Sequence, residues 1–163
     1  MKPLFALVLL TFFRILHSHQ YTLTVASVFK DEAPYLKEWI EYHKIMGAEH
    51  FRLYNNNSED DYLAVLSPYI QKGEVSLVEW PSNEEDLKNW VVLTQWRACV
   101  DAVNYYKEKS QWLAFLDIDE YLFPLEKPDM TTFLKDYEAY PGVVFSWQCF
   151  GTSFVPEIPP GQL

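Results

Sequence analysis

From residue 21 onward, short runs of β-branched and apolar residues alternate with longer stretches whose apolar positions recur every three or four residues. The run YTLTVASVF (21–29) is rich in apolar and β-branched residues, as a buried strand should be. In DEAPYLKEWIEYHKIMG (31–47) the spacing turns helical, with Leu36, Trp39, Ile40, His43 and Met46 on one face. Asp31 stands where an N-cap belongs, Pro34 in the first turn and Gly47 at the stop. HFRLYN (50–55) reads as a second strand that breaks into the polar loop NNNSEDD. Residues 60–71 read as a second helix, bent or ended near Pro68, and EVSLVEW (74–80) as a third strand closed by Pro81. The spacing predicts a long amphipathic helix over 84–108, with Leu87, Trp90, Val91, Thr94, Ala98, Ala102 and Tyr105 on its apolar side. WLAFLDI (112–118) is the fourth expected strand, 129–138 a short helix after Pro128, and GVVFSWQCF (142–150) a fifth strand.

Strands separated by helical segments of ten or more residues imply parallel pairing with crossover connections, so the expected fold class is α/β. In such sheets ligands sit outside the carboxyl ends of the strands. The polar residues falling at those ends are Lys30, Asp31 and Glu32, then Asn55, Asn56 and Asn57, then Asp117, Asp119 and Glu120. A doubly wound sheet would bring all three clusters to one edge.

At 163 residues with nearly half of them hydrophobic, the chain suits one folded domain with a real core. Its formal net charge is −10 and it has no cluster of Lys and Arg, which argues against nucleic-acid binding. An anionic substrate on so acidic a chain would need a cation to screen it. Residues 1–20 differ from the rest: Lys2 precedes an apolar run from Pro3 to Phe13, interrupted by Arg14. That length fits a signal peptide or a short membrane anchor better than a full span, so a secretory or membrane-associated location is expected. Cys99 and Cys149 have no metal-type spacing, and His17 and His19 read as a polar junction after the apolar segment, two His without further ligands being weak evidence for a metal. The cysteines read as buried small hydrophobes, with a disulfide open to them in a luminal setting.

The segment WLAFLDIDEYLFP (112–124) carries the candidate chemistry. An apolar run delivers Asp117, Asp119 and Glu120 within four positions and then returns to Tyr121, Leu122 and Phe123. If the strand continues through them, Asp117 and Asp119 point to the same side. Two hard oxygen donors there suit Mn²⁺ or Mg²⁺, which bind through one or two carboxylates and complete their shell with water and phosphate oxygens. The competing reading is a pair of acids at a strand end, one capping a turn and one solvated. The asparagine loop likewise has two readings, turn formers or a side chain facing a base or ribose. Asn56–Ser58 also matches a glycosylation sequon, which would obstruct the pocket and is read as chance. Gln95 and Arg97 lie on the long helix that precedes the strand carrying these acids. Arg97 is either a diphosphate contact or a solvated helix charge.

VASVFKDEAPYLKEWIEYHKIMGAEHFRLYNNNSEDD followed by WLAFLDIDEYLFP closely resembles glycosyltransferase family 92. WQCFGTS (147–153) is similar to that family's W-x-x-F-G-[ST]-S segment, and the likeness covers roughly residues 24–163. The resemblance implies a GT-A-type, Rossmann-like sheet, mostly parallel and flanked by helices, over 21–163. It implies a UDP-sugar donor, UDP-galactose in particular, and a glycan hydroxyl as acceptor. Asp119 would be the principal metal ligand and Asp117 a contact to donor ribose or metal-bound water. Lys30, Asp31, Glu32, Asn55 and Asn57 would line the nucleotide end. Only about forty residues follow Glu120, so the donor half is expected without most of an acceptor half. No catalytic base is assigned; Glu120 and Glu157 are candidates. Two other readings remain: a nucleotide-binding or inactive fragment of such an enzyme, and a haloacid-dehalogenase-like phosphatase. The latter is disfavoured because Tyr121 stands where that motif has Thr or Val, and three strand–helix units precede the acids.

Overall fold

The computed structural model describes residues 19–82, 87–146 and 148–149. Four strands alternate with helices: β1 (Tyr21–Phe29), α1 (Ala33–Ile45), β2 (His50–Asn55), α2 (Tyr62–Gln71), β3 (Val75–Glu79), α3 (Leu87–Trp90), α4 (Trp96–Tyr106), β4 (Ser110–Phe115) and α5 (Met130–Leu134). The strands form one all-parallel sheet in the order β3-β2-β1-β4. Phe29 pairs with Asn55 and Asn55 with Glu79, so the carboxyl ends of β1, β2 and β3 finish level. The fold is therefore α/β and Rossmann-like, consistent with the GT-A type.

β1 is buried on both faces because helices cover both. Leu23, Val25 and Phe29 join Leu36, Trp39 and Ile40 of α1 and Leu66 of α2 in the larger core cluster. Ala26 packs on the opposite side with Tyr54, Ala98 and Ala102. Alanines on both β1 and α4 let that helix lie close to the sheet, and the period-two alternation of β1 sends its neighbours to opposite layers. After β3 the chain returns across the sheet to place β4 on the free side of β1. The direction of winding thus reverses between β1 and β4, where ligands bind in open α/β sheets.

Several expected elements change. β4 stops at Phe115, so Asp117 and Asp119 lie in the turn that follows and strand alternation does not set their directions. No strand forms in the described part of 142–150; Val143 packs on the larger core and Phe145 meets Phe133. Asp31 is not the cap of α1. Its φ of +56° turns its carboxylate to the Glu59 N–H (2.7 Å), and Asp60 from the loop after β2 accepts the Ala33 N–H at 2.7 Å instead. The expected 84–108 helix is described from Leu87 to Tyr106, and Val91–Gln95 forms a π-helical turn within it. There the Trp96 N–H bonds to the Val91 carbonyl, while the Thr94 carbonyl accepts the Trp80 indole N–H at 3.1 Å. Beyond that turn the buried positions are Ala98, Ala102 and Tyr106, leaving the expected Tyr105 exposed. Cys99 is half-buried and Cys149 exposed, both free thiols, so the reading of two buried cysteines fails for Cys149.

Candidate functional site

The reversal between β1 and β4 holds a cavity of about 190 Å³, lined among others by Ser27, Val28, Gln95, Cys99, Asp117 and Glu120. β1 provides one wall and the start of α4 the other. The π-turn ends at Gln95, whose Nε2 donates to Asp117 Oδ1 at 3.3 Å. Glu120 Oε2 accepts the Asp117 N–H at 2.9 Å and thereby closes the acidic turn on itself.

Like charges crowd this edge. The Asp117 carboxyl is pushed above its ordinary range by burial, then by Glu120 and Asp119, against a smaller opposing effect of the Gln95 bond. Glu32 is also raised, by burial and then by Asp119, Asp60 and Asp31. The acids at the ends of β1 and β4, far apart in sequence, therefore share one electrostatic field. Asp60 Oδ1 is buried without a hydrogen-bond partner. Burial, and then Asp117, raise the Cys99 thiol above its ordinary value.

The expected site residues divide. Lys30, Asp31, Glu32, Asn57, Asp117 and Asp119 all lie in the loops at the carboxyl edge. Asn55 is committed inward: its Nδ2 donates to Tyr62 and to Glu79, and its Oδ1 accepts the Ser58 N–H. It shapes the loop and presents no open polar atom at the edge. Asn57, at φ +59°, is exposed, with its Nδ2 donating to the Ser82 carbonyl at 2.6 Å. Asn56 is 4% exposed and spans Trp80 and Trp90, so its amide is not presented for glycosylation. Arg97 is exposed and does not line the cavity. Glu157, His17 and most of the 147–153 motif lie outside the described residues.

Among the described residues no group of three or more His, Cys, Asp or Glu side chains is arranged to hold a metal ion. The turn offers Asp117 and Asp119, and a pair of hard oxygens suits an ion of the Mn²⁺ or Mg²⁺ class that takes its other ligands from water and phosphate. Mutual repulsion of the acids points the same way, since a cation would relieve it.

Sequence reasoning placed Trp39 and His43 only in the core, yet both touch the acidic turn. Trp39 Nε1 lies 3.0 Å from the Asp117 and Glu120 carbonyl oxygens, and His43 Nε2 accepts the Leu122 N–H at 3.3 Å. The signal was available: a buried indole N–H requires an acceptor.

A glycosyltransferase family 92 profile matches residues 19–163. A family 92 protein of Arabidopsis thaliana is 32% identical over 112 residues, covering 66% of this chain and 18% of that protein. A family 92 protein of Oryza sativa subsp. japonica is 26% identical over 124 residues, 76% of this chain and 20% of that one. The Arabidopsis galactan beta-1,4-galactosyltransferase GALS2 is 24% identical over 126 residues, 75% of this chain and 24% of that enzyme. The matched segment thus spans about a fifth of the length of these relatives. A parallel sheet that gathers acids at its winding reversal, together with a profile spanning nearly the whole described chain, makes this chain a member of glycosyltransferase family 92.

Proposed function

We propose that this chain forms the donor-binding part of a metal-dependent glycosyltransferase that moves galactose from UDP-galactose to a glycan hydroxyl. The observation that carries this reading is the acidic turn at the β1–β4 reversal, where Asp117 and Glu32 are both raised by burial and then by neighbouring carboxylates. Family membership and the galactosyltransferase among the relatives support the choice of reaction and sugar.

A bound divalent ion would offset the charge of a departing diphosphate. The chain's own residues do the rest. Asp119 would be the principal ligand of such an ion, and Asp117, tied to Gln95, would be the second ligand or a ribose contact. Lys30, Asp31, Glu32 and Asn57 border the nucleotide along the carboxyl edge. The 190 Å³ cavity is below the roughly 300–1,000 Å³ usual for ligands, so it takes one part of the donor while the rest lies along that open edge. Glu120 already accepts the Asp117 N–H, which fits a shaping role better than that of proton acceptor. The apolar segment 3–13 serves as a leader or anchor for a secretory route. Among the described residues no helix is long and apolar enough to cross a membrane.

Calorimetric titration of UDP into the chain, with and without Mn²⁺, tests the reading. Saturable binding that needs Mn²⁺ and disappears in Asp119→Ala is expected; wild-type protein that ignores UDP under both conditions would remove the donor site. Binding without transfer to any offered glycan would instead favour a nucleotide-binding role.

A further inference from the structure

One indole holds the acidic turn from beneath. Trp39 is wholly buried in the middle of α1, and its Nε1–H is the side chain's only polar group. That N–H lies 3.0 Å from both the Asp117 and the Glu120 carbonyl oxygens, so a single donor bridges the two ends of the turn. One helical turn later, His43 Nδ1 lies 2.8 Å from the Trp39 carbonyl while its Nε2 accepts the Leu122 N–H. These bonds engage the main chain of residues 117–122 and use neither the Asp117 nor the Asp119 carboxylate. α1 belongs to the packed core under β1 and β2, so the turn inherits the rigidity of the most buried part of the molecule.

We propose that Trp39 is a positioning residue for the acidic turn. Its N–H, shared between the Asp117 and Glu120 carbonyls, sets the main-chain conformation in which the Asp117 and Asp119 carboxylates meet a divalent cation. The bridge stands on geometry alone; the cation rests on the function proposed above. Groups that orient metal ligands in this indirect way typically change metal affinity about 10- to 100-fold when removed.

The test replaces Trp39 by benzothienylalanine, in which sulfur stands for the indole N–H at nearly constant volume, and also makes Trp39→Phe. Phe51→Leu serves as a packing control, because Phe51 touches the Trp39 ring (centroids 5.7 Å apart). Two quantities are read on the full chain: hydrogen exchange of the 117–122 amides without metal, and Mn²⁺ affinity by electron paramagnetic resonance. Loss of the N–H is expected to speed exchange of those amides about 10-fold and to weaken Mn²⁺ about 10-fold or more. Phe51→Leu should lower the melting temperature while leaving both readings unchanged. Exchange unaltered by benzothienylalanine, or altered equally by Phe51→Leu, would overturn the positioning role. Wild-type protein that binds no Mn²⁺ would instead overturn the metal reading of the site, and the metal-free exchange comparison would still decide the bridge.

Discussion

His43 shows how one side chain is drawn into a role that its helical spacing does not announce. It is 2% exposed, packed against Trp39, Tyr42 and Tyr121, with both ring nitrogens in hydrogen bonds. Burial lowers its pKa from 6.5 to about 4, against a smaller opposing effect of the bond to the Trp39 carbonyl. The folded protein therefore keeps His43 neutral where the unfolded chain binds a proton. His43's contribution to stability is complete above about pH 6.5 and is lost as the pH falls through about 4, on the order of 3 kcal/mol for a shift of this size. His50, lowered chiefly by burial, acts in the same direction. Urea denaturation at a series of pH values should show this loss, and His43→Phe should flatten part of it. A wild-type profile flat across that window would refute the assignment. The same tertiary capture is seen at Asn55 and Asn56. As letters they are turn formers, and in the fold they are buried ties between the carboxyl ends of β2 and β3.

Among the elements, α1 carries the most constraints. Gly47 ends it at φ +99°, and a Cβ there would meet Thr131 Cγ2 at 2.7 Å, beside the bond from the Met130 N–H to the Met46 carbonyl. Gly47→Ala should therefore cost about 1–3 kcal/mol in chemical denaturation, from the left-handed backbone plus the clash. Gly73→Ala, at φ +73° in open space, should cost less, since only the backbone contribution remains. Equal losses would mean that the contact with Thr131 is immaterial. The π-turn at Val91–Gln95 is the other decisive element. It reconciles two demands on one helix: Trp90 and Thr94 bind the loops after β2 and β3, while Gln95 reaches Asp117.

At the scale of the whole molecule, Asp31, Glu32, Asp60, Asp117, Asp119 and Glu120 of this −10 chain act on one another at the carboxyl edge beside the winding reversal. Binding to the native state alone should stabilise it by mass action. Mn²⁺ with UDP at about 100 times their dissociation constant should add roughly 2.7 kcal/mol and raise the melting temperature. Mn²⁺ without nucleotide should do so more weakly, and Asp119→Ala should abolish both effects. A melting temperature indifferent to Mn²⁺ and UDP would contradict the proposed site. The four strands, their parallel pairing and the edge that collects Lys30, Asp31, Glu32, Asn57, Asp117 and Asp119 were all legible from residue order. Periodicity and strand–helix alternation are local properties, and parallel connection leaves few topologies open. The end of β4 before the acids, the cap on α1 from Asp60, the inward turn of Asn55 and the grip of Trp39 on residues 117 and 120 came from packing alone. The cap from Asp60 and the grip of Trp39 join groups 27 to 81 residues apart, the inward turn of Asn55 answers to Tyr62 and Glu79, 7 and 24 residues on, and the end of β4 to the loss of a strand neighbour. The hydrophobic spacing along the chain carries no record of such meetings.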